Sequence, residues 1–309
     1  MTSQSTPKLG HQSEMLVVLT IDVHPWDTAD DIRACCAVLS ARRLKATFFI
    51  STSILQKEDR HSALLALASQ GHELGTHSHD HNHTEIRALQ DERSGDLSFL
   101  SESTRCFTRF YGFQPKMFRS PVWCGLSSRA RDVLCDLGYK IDCSSTPQRL
   151  GVLSAQLTRN PWLFSRRSPH LLQGSLLEIP SSCFLVPLAS PTIHTFRGVG
   201  SRCFLACFEL ESRLFHHRVI TVTFDTPDFN PDRPKPLKGT FNWSELLPRV
   251  DGGFYFRWRM RETNPDRITR LTLSILEQLA THKISTLREI QSRFFEVSPL
   301  ANRRLGHPG

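Results

Sequence analysis

The stretch "MLVVLTID", Met15 to Asp22, is an unbroken apolar run that ends in an acid. Continuous rather than alternating apolarity marks a strand covered on both faces, the condition of a parallel sheet. "TADDIRACCAVLSARRL" follows, where Thr28 with Asp31 three residues on is a capping signal, and Ile32, Cys35, Cys36 and Leu39 fall at helical spacing. "KATFFIS" is a second strand, rich in aromatic and β-branched residues. "RHSALLALASQG" is a helix closed by Gly71, and a short strand through Glu73 and Leu74 comes next. The alternation continues with a long helix over "RALQDERSGDLSFLSESTRCFTRFYG", strand "KMFRSP", helix "SSRARDVLCDLG" and strands "YKID" and "SLLEIPSS". Helix "GSRCFLACFELESRLFHH", strand "RVITVTFD", a helix entered through Asn264 and Pro265, and strand "KISTL" complete it. Strands alternating with helices restrict the chain to an α/β domain built on a parallel sheet or barrel.

At 309 residues there is room for one sizeable domain with a large core. Residues 1–14 read as a disordered leader, 15–298 as the domain, and 299–309 as a flexible basic tail. Segments 147–170 and 226–262 read as long loops over one end. No run approaches the length of a membrane span, and the polar N-terminus has no apolar signal core. A cytoplasmic location is expected, with the nine cysteines as free thiols. The net charge of +8 suits an anionic partner: a phosphorylated or lipid-linked substrate, or peripheral contact with an anionic membrane face. No basic run interleaved with aromatics occurs, so nucleic acid is not an expected partner.

Active sites of parallel α/β folds gather at the carboxyl ends of the strands. Asp22, Arg119, Asp225 and the histidine-rich "HELGTHSHDHNH" all fall there. Asp22 and His24, two apart at a strand end, look the same way. His77 and His81 stand four apart. With His24 they make a three-nitrogen set, and three protein ligands with one open position is the pattern of a catalytic zinc site. His24 has a competing reading as a structural histidine. His72, His79 and His83 read as non-ligands, and Trp123 as either a sugar-stacking platform or core.

"TIDVHPW", "ATFFI", "GHELGTHSHDH", "FRSP" and "LGYKID" occur in order. Together they resemble the polysaccharide deacetylases of the NodB-homology family, carbohydrate esterase family 4, over roughly residues 15 to 295. The nearest branch has an Asp-x-ligand first motif rather than two adjacent aspartates. The resemblance implies an irregular (β/α) barrel and a metal-dependent hydrolase that removes an acetyl or formyl group from an amino sugar. It implies Asp22 as general base, with His24, His77 and His81 as metal ligands. Arg119 would pair with the base and keep it ionised, and Asp142 would orient that arginine. The metal would be Zn2+ first, with Co2+, Ni2+ or Mn2+ as alternatives. Two departures stand out. His24 takes a place usually held by a carboxylate, and Asp225 stands where the family has a proton-donating histidine. Asp228, His79 or His217 are candidate substitutes for that histidine. Two further readings stay open: an allantoinase-like cyclic amide hydrolase, and a catalytically impaired metal- or sugar-binding homologue.

Overall fold

The computed structural model describes residues 15–149, 165–172, 175–214, 219–233 and 264–297. The expected leader, the tail and most of the two long loops lie outside them. Strand β1 (Leu16–Val23) is central. One edge pairs in parallel with β10 (Val219–Asp225) over its whole length. The other edge is shared between β11 (Lys283–Ser285) at the start and β2 (Thr47–Ile50) at the end. From β2 the sheet continues in parallel through β3 (Glu73–Thr76), β4 (Met117–Phe118), β5 (Ile141–Asp142) and β7 (Leu177–Glu178). The short β6 (His170–Leu171) adds antiparallel at the edge, and β8 (Cys183–Phe184) pairs with β9 (Val186–Pro187) as a separate hairpin.

The sheet curls into a half-barrel. Among the described residues its two ends meet through few contacts. Ser182 Oγ accepts from the Thr221 amide at 2.9 Å, the Thr221 hydroxyl donates to the Pro180 carbonyl, and the Thr223 amide donates to the Leu188 carbonyl at 3.1 Å in an isolated parallel bridge. This sparse seam makes the barrel irregular.

Strand alternation divides β1 between two cores. Val17, Leu19 and Ile21 pack outward under α1 (Ala29–Ala41), α2 (His61–Ser69), α6 (Ser190–Leu214) and α7 (Pro265–Leu279). Val18 packs with Phe49, Met117, Ile141, Leu177 and Val219, and Leu287 and Ile290 of α8 (Leu287–Val297) join this second core. Thr20 and Asp22 continue the Val18 face toward the carboxyl end. Gly75 is demanded where β3 meets β4, because a Cβ there would stand 2.7 Å from the Met117 carbonyl oxygen.

The capping box of Thr28 and Asp31 forms as read, and Pro265 opens α7. The long helix expected over "RALQDERSGDLSFLSESTRCFTRFYG" is instead two, α3 (His83–Gln90) and α4 (Ser98–Tyr111). Asp91 ends the first and accepts from the Arg93 amide and the Ser94 hydroxyl, a local turn that competes with helix. Gly95 then passes so close to the Ala88 carbonyl that a Cβ would stand 2.7 Å from it. Helix α5 (Ser128–Asp136) packs against the same part of the sheet, in a cluster with Phe118 and Tyr139.

Candidate metal centre and active site

His24 leaves the end of β1 into a tight turn held by Asp27. The fully buried Asp27 carboxylate accepts from the His24 amide at 2.8 Å and from the Thr226 hydroxyl at 2.6 Å. Lys57 donates to the Pro25 carbonyl and Arg60 to that of Asp27, so the loop is pinned from two sides.

The second stretch, "HSHDH", is shaped by one carboxylate. Glu85 lies in the first turn of α3, which Asn82 caps. It accepts from the Ser78 hydroxyl at 2.6 Å and from the amides of Asp80 and His81 at 2.9 Å each. Ser78 and His81 take left-handed backbone, φ 67° and 55°, which three bonds to a buried carboxylate help sustain.

The two stretches bring His24, His77 and His81 together. Each offers one ring nitrogen, and the three nitrogens lie within 4.8 Å of one another. Ring centroids are 4.8 Å apart for His77 and His81, 4.9 Å for His24 and His81, and 5.6 Å for His24 and His77. His77 Nδ1 donates to the Arg119 carbonyl at 3.0 Å, which leaves Nε2 as its free lone pair. His24 Nδ1 is buried without a hydrogen-bond partner and stands 3.7 Å from Asp27. Three converging imidazoles, one of them with a buried nitrogen that lacks a hydrogen-bond partner, fit a divalent transition metal. Trp26, half exposed, stacks on His24 at 4.9 Å and meets His81 edge-on.

Asp22 stands beside this cluster, one oxygen 4.0 Å from His77 Nε2. Its other oxygen accepts from Arg119 Nη1 at 2.8 Å. Arg119 is fully buried and crosses the barrel interior. It also donates to Thr20 Oγ1 and the Cys143 carbonyl, and lies 4.3 Å over the Phe49 ring. Burial drives the Asp22 carboxyl above its ordinary value, reinforced by Asp225, and outweighs the arginine. Arg119 thus tempers a rise rather than holding the group low, as the sequence reading had it. A carboxylate with a raised pKa is the stronger base.

Electrostatics also separate the histidines. Burial pushes His77 and His81 well below 6.5, with neighbouring cations adding to it. Burial likewise lowers His24, but Asp27, then Asp225 and Asp22, override it and raise the group to about 9.

Asp142 does not reach Arg119. In a strand, neighbours point to opposite faces. The Cys143 carbonyl meets the guanidinium, while the Asp142 carboxylate accepts from Ser144 and adjoins Glu178, its partner in register. Its orienting role is corrected accordingly: Thr20 and the Cys143 backbone hold the arginine. Asp225 lies opposite Asp22 in the β1–β10 register and lines the cleft. Its carboxylate accepts from the Asp228 amide, and Asp228 accepts from the Asp225 amide in return, closing a short 3-10 turn. His79 turns to the Thr52 hydroxyl, His72 is buried against Phe48, and His83 is exposed. His217 lies outside the described residues.

The cleft has a volume of about 110 Å3 and is lined by Asp22, the three histidines, Trp123 and Asp225, among others. Trp123 lies between two guanidinium groups, 6.0 Å from that of Arg119 and 5.6 Å from that of Arg149. Val122 and Trp123 both adopt left-handed backbone, at φ 51° and 53°, which is costly for a β-branched residue. Three residues of the site escaped the sequence reading. Thr20 shares the Asp22 face two residues earlier. Glu85 follows Asn82 at capping-box spacing, and Asp27 follows His24 at turn spacing, so each left a signal.

The curled α/β half-barrel and the three-histidine cluster can be set beside known proteins. Residues 10–141 of the chain match the family model for polysaccharide deacetylase. Among solved structures, a Mycobacterium smegmatis protein described as a polysaccharide deacetylase aligns at 15% identity and TM-score 0.50, covering 93% of this chain and 98% of its own. A Bacillus subtilis peptidoglycan deacetylase aligns at 12% identity and TM-score 0.47, covering 96% of this chain and all of its own. The chitin deacetylase of the fungus Colletotrichum lindemuthianum aligns at 13% and 0.48, covering 90% and 89%. At 15% identity the likeness to the Mycobacterium smegmatis structure is one of fold. No curated protein matches the chain.

Proposed function

We propose that the chain is a metal-dependent hydrolase that removes an N-acyl group, acetyl or formyl, from an amino sugar. The observation that carries this reading is the convergence of His24 with His77 and His81 beside the Asp22–Arg119 pair, from stretches some fifty residues apart. A divalent metal, zinc first by the all-nitrogen donor set, supplies Lewis acidity toward water and an amide carbonyl when bound there. Asp22 Oδ2 faces the cluster and takes the proton of the attacking water. Arg119 receives the resulting change of charge on its other oxygen and fixes the carboxylate plane. His77 is kept in one tautomer by the Arg119 carbonyl, so the same residue orients base and ligand. Trp26 screens the ligands on one side, and Trp123 walls the other side of the cleft. The positive net charge suits a phosphate-bearing or lipid-linked sugar.

Elemental analysis of protein purified without a histidine tag, wild type beside His77→Ala and His24→Ala, is the first test. About one tightly held transition metal per chain in the wild type, lost in both variants, is expected. Wild type that takes up no zinc overturns the reading. Deacetylation of N-acetylated amino sugars, assayed on the loaded protein, is the second test.

The Asp225–Asp228 capping pair favours one further reading, a site with weak proton delivery to the leaving amine. A carboxylate engaged in a cap is poorly placed to give up a proton. On this reading Asp225→His raises turnover by about ten-fold or more, measured on the same substrates. An unchanged or lower rate assigns Asp225 itself to the leaving-group side.

A further inference from the structure

Exposure rises outward through the candidate metal centre. His77 is 2% exposed and His24 9%, His81 is half-buried, and Trp26 beyond them is 50% exposed. Tryptophan is on average a highly buried residue, so an indole this open to water calls for a reason. A loose loop is not the reason. The carbonyls on either side, of Pro25 and Asp27, accept from Lys57 and Arg60, and the Asp27 amide donates to the His24 carbonyl at 3.1 Å. His24 covers one face of the indole, nearly parallel at 8°, and His81 meets it edge-on at 5.5 Å. The opposite face is left to carry the exposure.

Two observations bear on what lies there. The cleft beside the histidines has a volume of about 110 Å3, against roughly 300–1,000 Å3 for pockets that enclose a small molecule. Among the described residues it has room for an acyl group and little more. The remainder of an N-acylated substrate extends outward past the histidines, and Trp26 is the ring in contact with two of them. The other aromatic at the cleft is not free for stacking: the Arg119 and Arg149 guanidinium groups lie over the Trp123 ring at 6.0 and 5.6 Å. A rigid indole at a wet rim suits a ligand with one apolar face and a hydroxylated perimeter. A pyranose has that form. Its C–H face meets the indole while its hydroxyls keep their water.

We propose that Trp26 is the stacking platform for the sugar ring whose N-acyl group enters the cleft, and that it sets a preference for ring-bearing over ring-free amides. The placement of the acyl group rests on the hydrolase reading. The stacking itself is a binding property and is read without turnover.

Saturation-transfer NMR on the full chain, with N-acetylglucosamine as the probe, tests it. Transfer to the sugar ring protons is expected in the wild type, lost in Trp26→Ala and largely kept in Trp26→Phe. Steady-state kinetics on the same sugar and on the ring-free amide N-acetylethanolamine separate a platform from a support for the histidines. Trp26→Ala should lower kcat/KM about ten-fold more for the sugar than for the ring-free amide, chiefly through KM. No transfer in the wild type, or transfer that persists in Trp26→Ala, overturns the platform. So do equal kinetic losses on the two amides, or loss of bound zinc in Trp26→Ala, which would make the ring a support for His24. A zinc-loaded wild type that binds the sugar through Trp26 and hydrolyses neither amide keeps the platform and overturns the hydrolase reading.

Discussion

Asp22 and His24 are two residues apart, and their environments push them toward opposite tasks. Asp22 is raised by burial and tempered by Arg119, which suits the base proposed for it. Asp22→Asn should keep the metal and lose turnover by about 10²–10⁴-fold, read from metal content and kcat on one preparation. His24 is raised to about 9, whereas His77 and His81 are lowered and already neutral. A metal must therefore displace one proton, from His24. Below pH 9, affinity should rise about ten-fold per pH unit, with one proton released per metal. Titration calorimetry in buffers of different ionisation enthalpy measures that number. Zero protons released at neutral pH would rule out a protonated His24 as a ligand.

At the scale of elements, the site depends on how loops are tied to helices. The Ser78–His81 loop carries two left-handed residues and hangs on one carboxylate in the first turn of α3. Glu85→Ala removes three acceptor contacts at once and leaves a hydroxyl and two amides without their partner. It should cost on the order of 2 kcal/mol in chemical denaturation and weaken metal binding about 10–100-fold. Comparable loss in an Ala66→Gly control, which lowers helix propensity in α2 by about 1 kcal/mol, would show that the metal affinity follows global stability instead.

At the scale of the whole molecule, the buried Asp142–Glu178 pair ties the stability of the barrel to pH. Burial pushes both carboxyls up, and Asp142 adds to the rise at Glu178. The folded-state pKa of Glu178 lies above its ordinary 4.5, so its contribution to stability is complete below about that pH and is lost as pH rises through the folded value. Each unit of upward shift is about 1.4 kcal/mol of destabilisation once the pH exceeds both values. Glu178→Gln keeps an acceptor for the Ser145 amide and should raise the melting temperature at pH 8 while leaving it nearly unchanged at pH 4. Thermal melts at the two pH values decide it, and an equal change at both removes titration as the cause.

Much of the architecture was legible because it follows from local rules. Continuous apolar runs named the strands, and helical spacing with Thr28, Gly71 and Pro265 bounded the helices between them. The break between α3 and α4 was not legible by periodicity, because an aspartate turn and a close glycine decided it. For the candidate site, strand-end placement and the order of the motifs pointed to Asp22, His24, His77, His81, Arg119 and Asp225, which the structure brings to one cleft or its wall. Only the tertiary structure decided who touches whom. Parallel pairing in register set Asp225 opposite Asp22, and strand alternation turned Asp142 away from Arg119. Burial, which no single stretch of sequence carries, set the protonation of the histidines and of the base. A sequence determines residue types and their local periodicity. Distances between distant stretches, and the dielectric in which their charges meet, exist only once the barrel has closed around them.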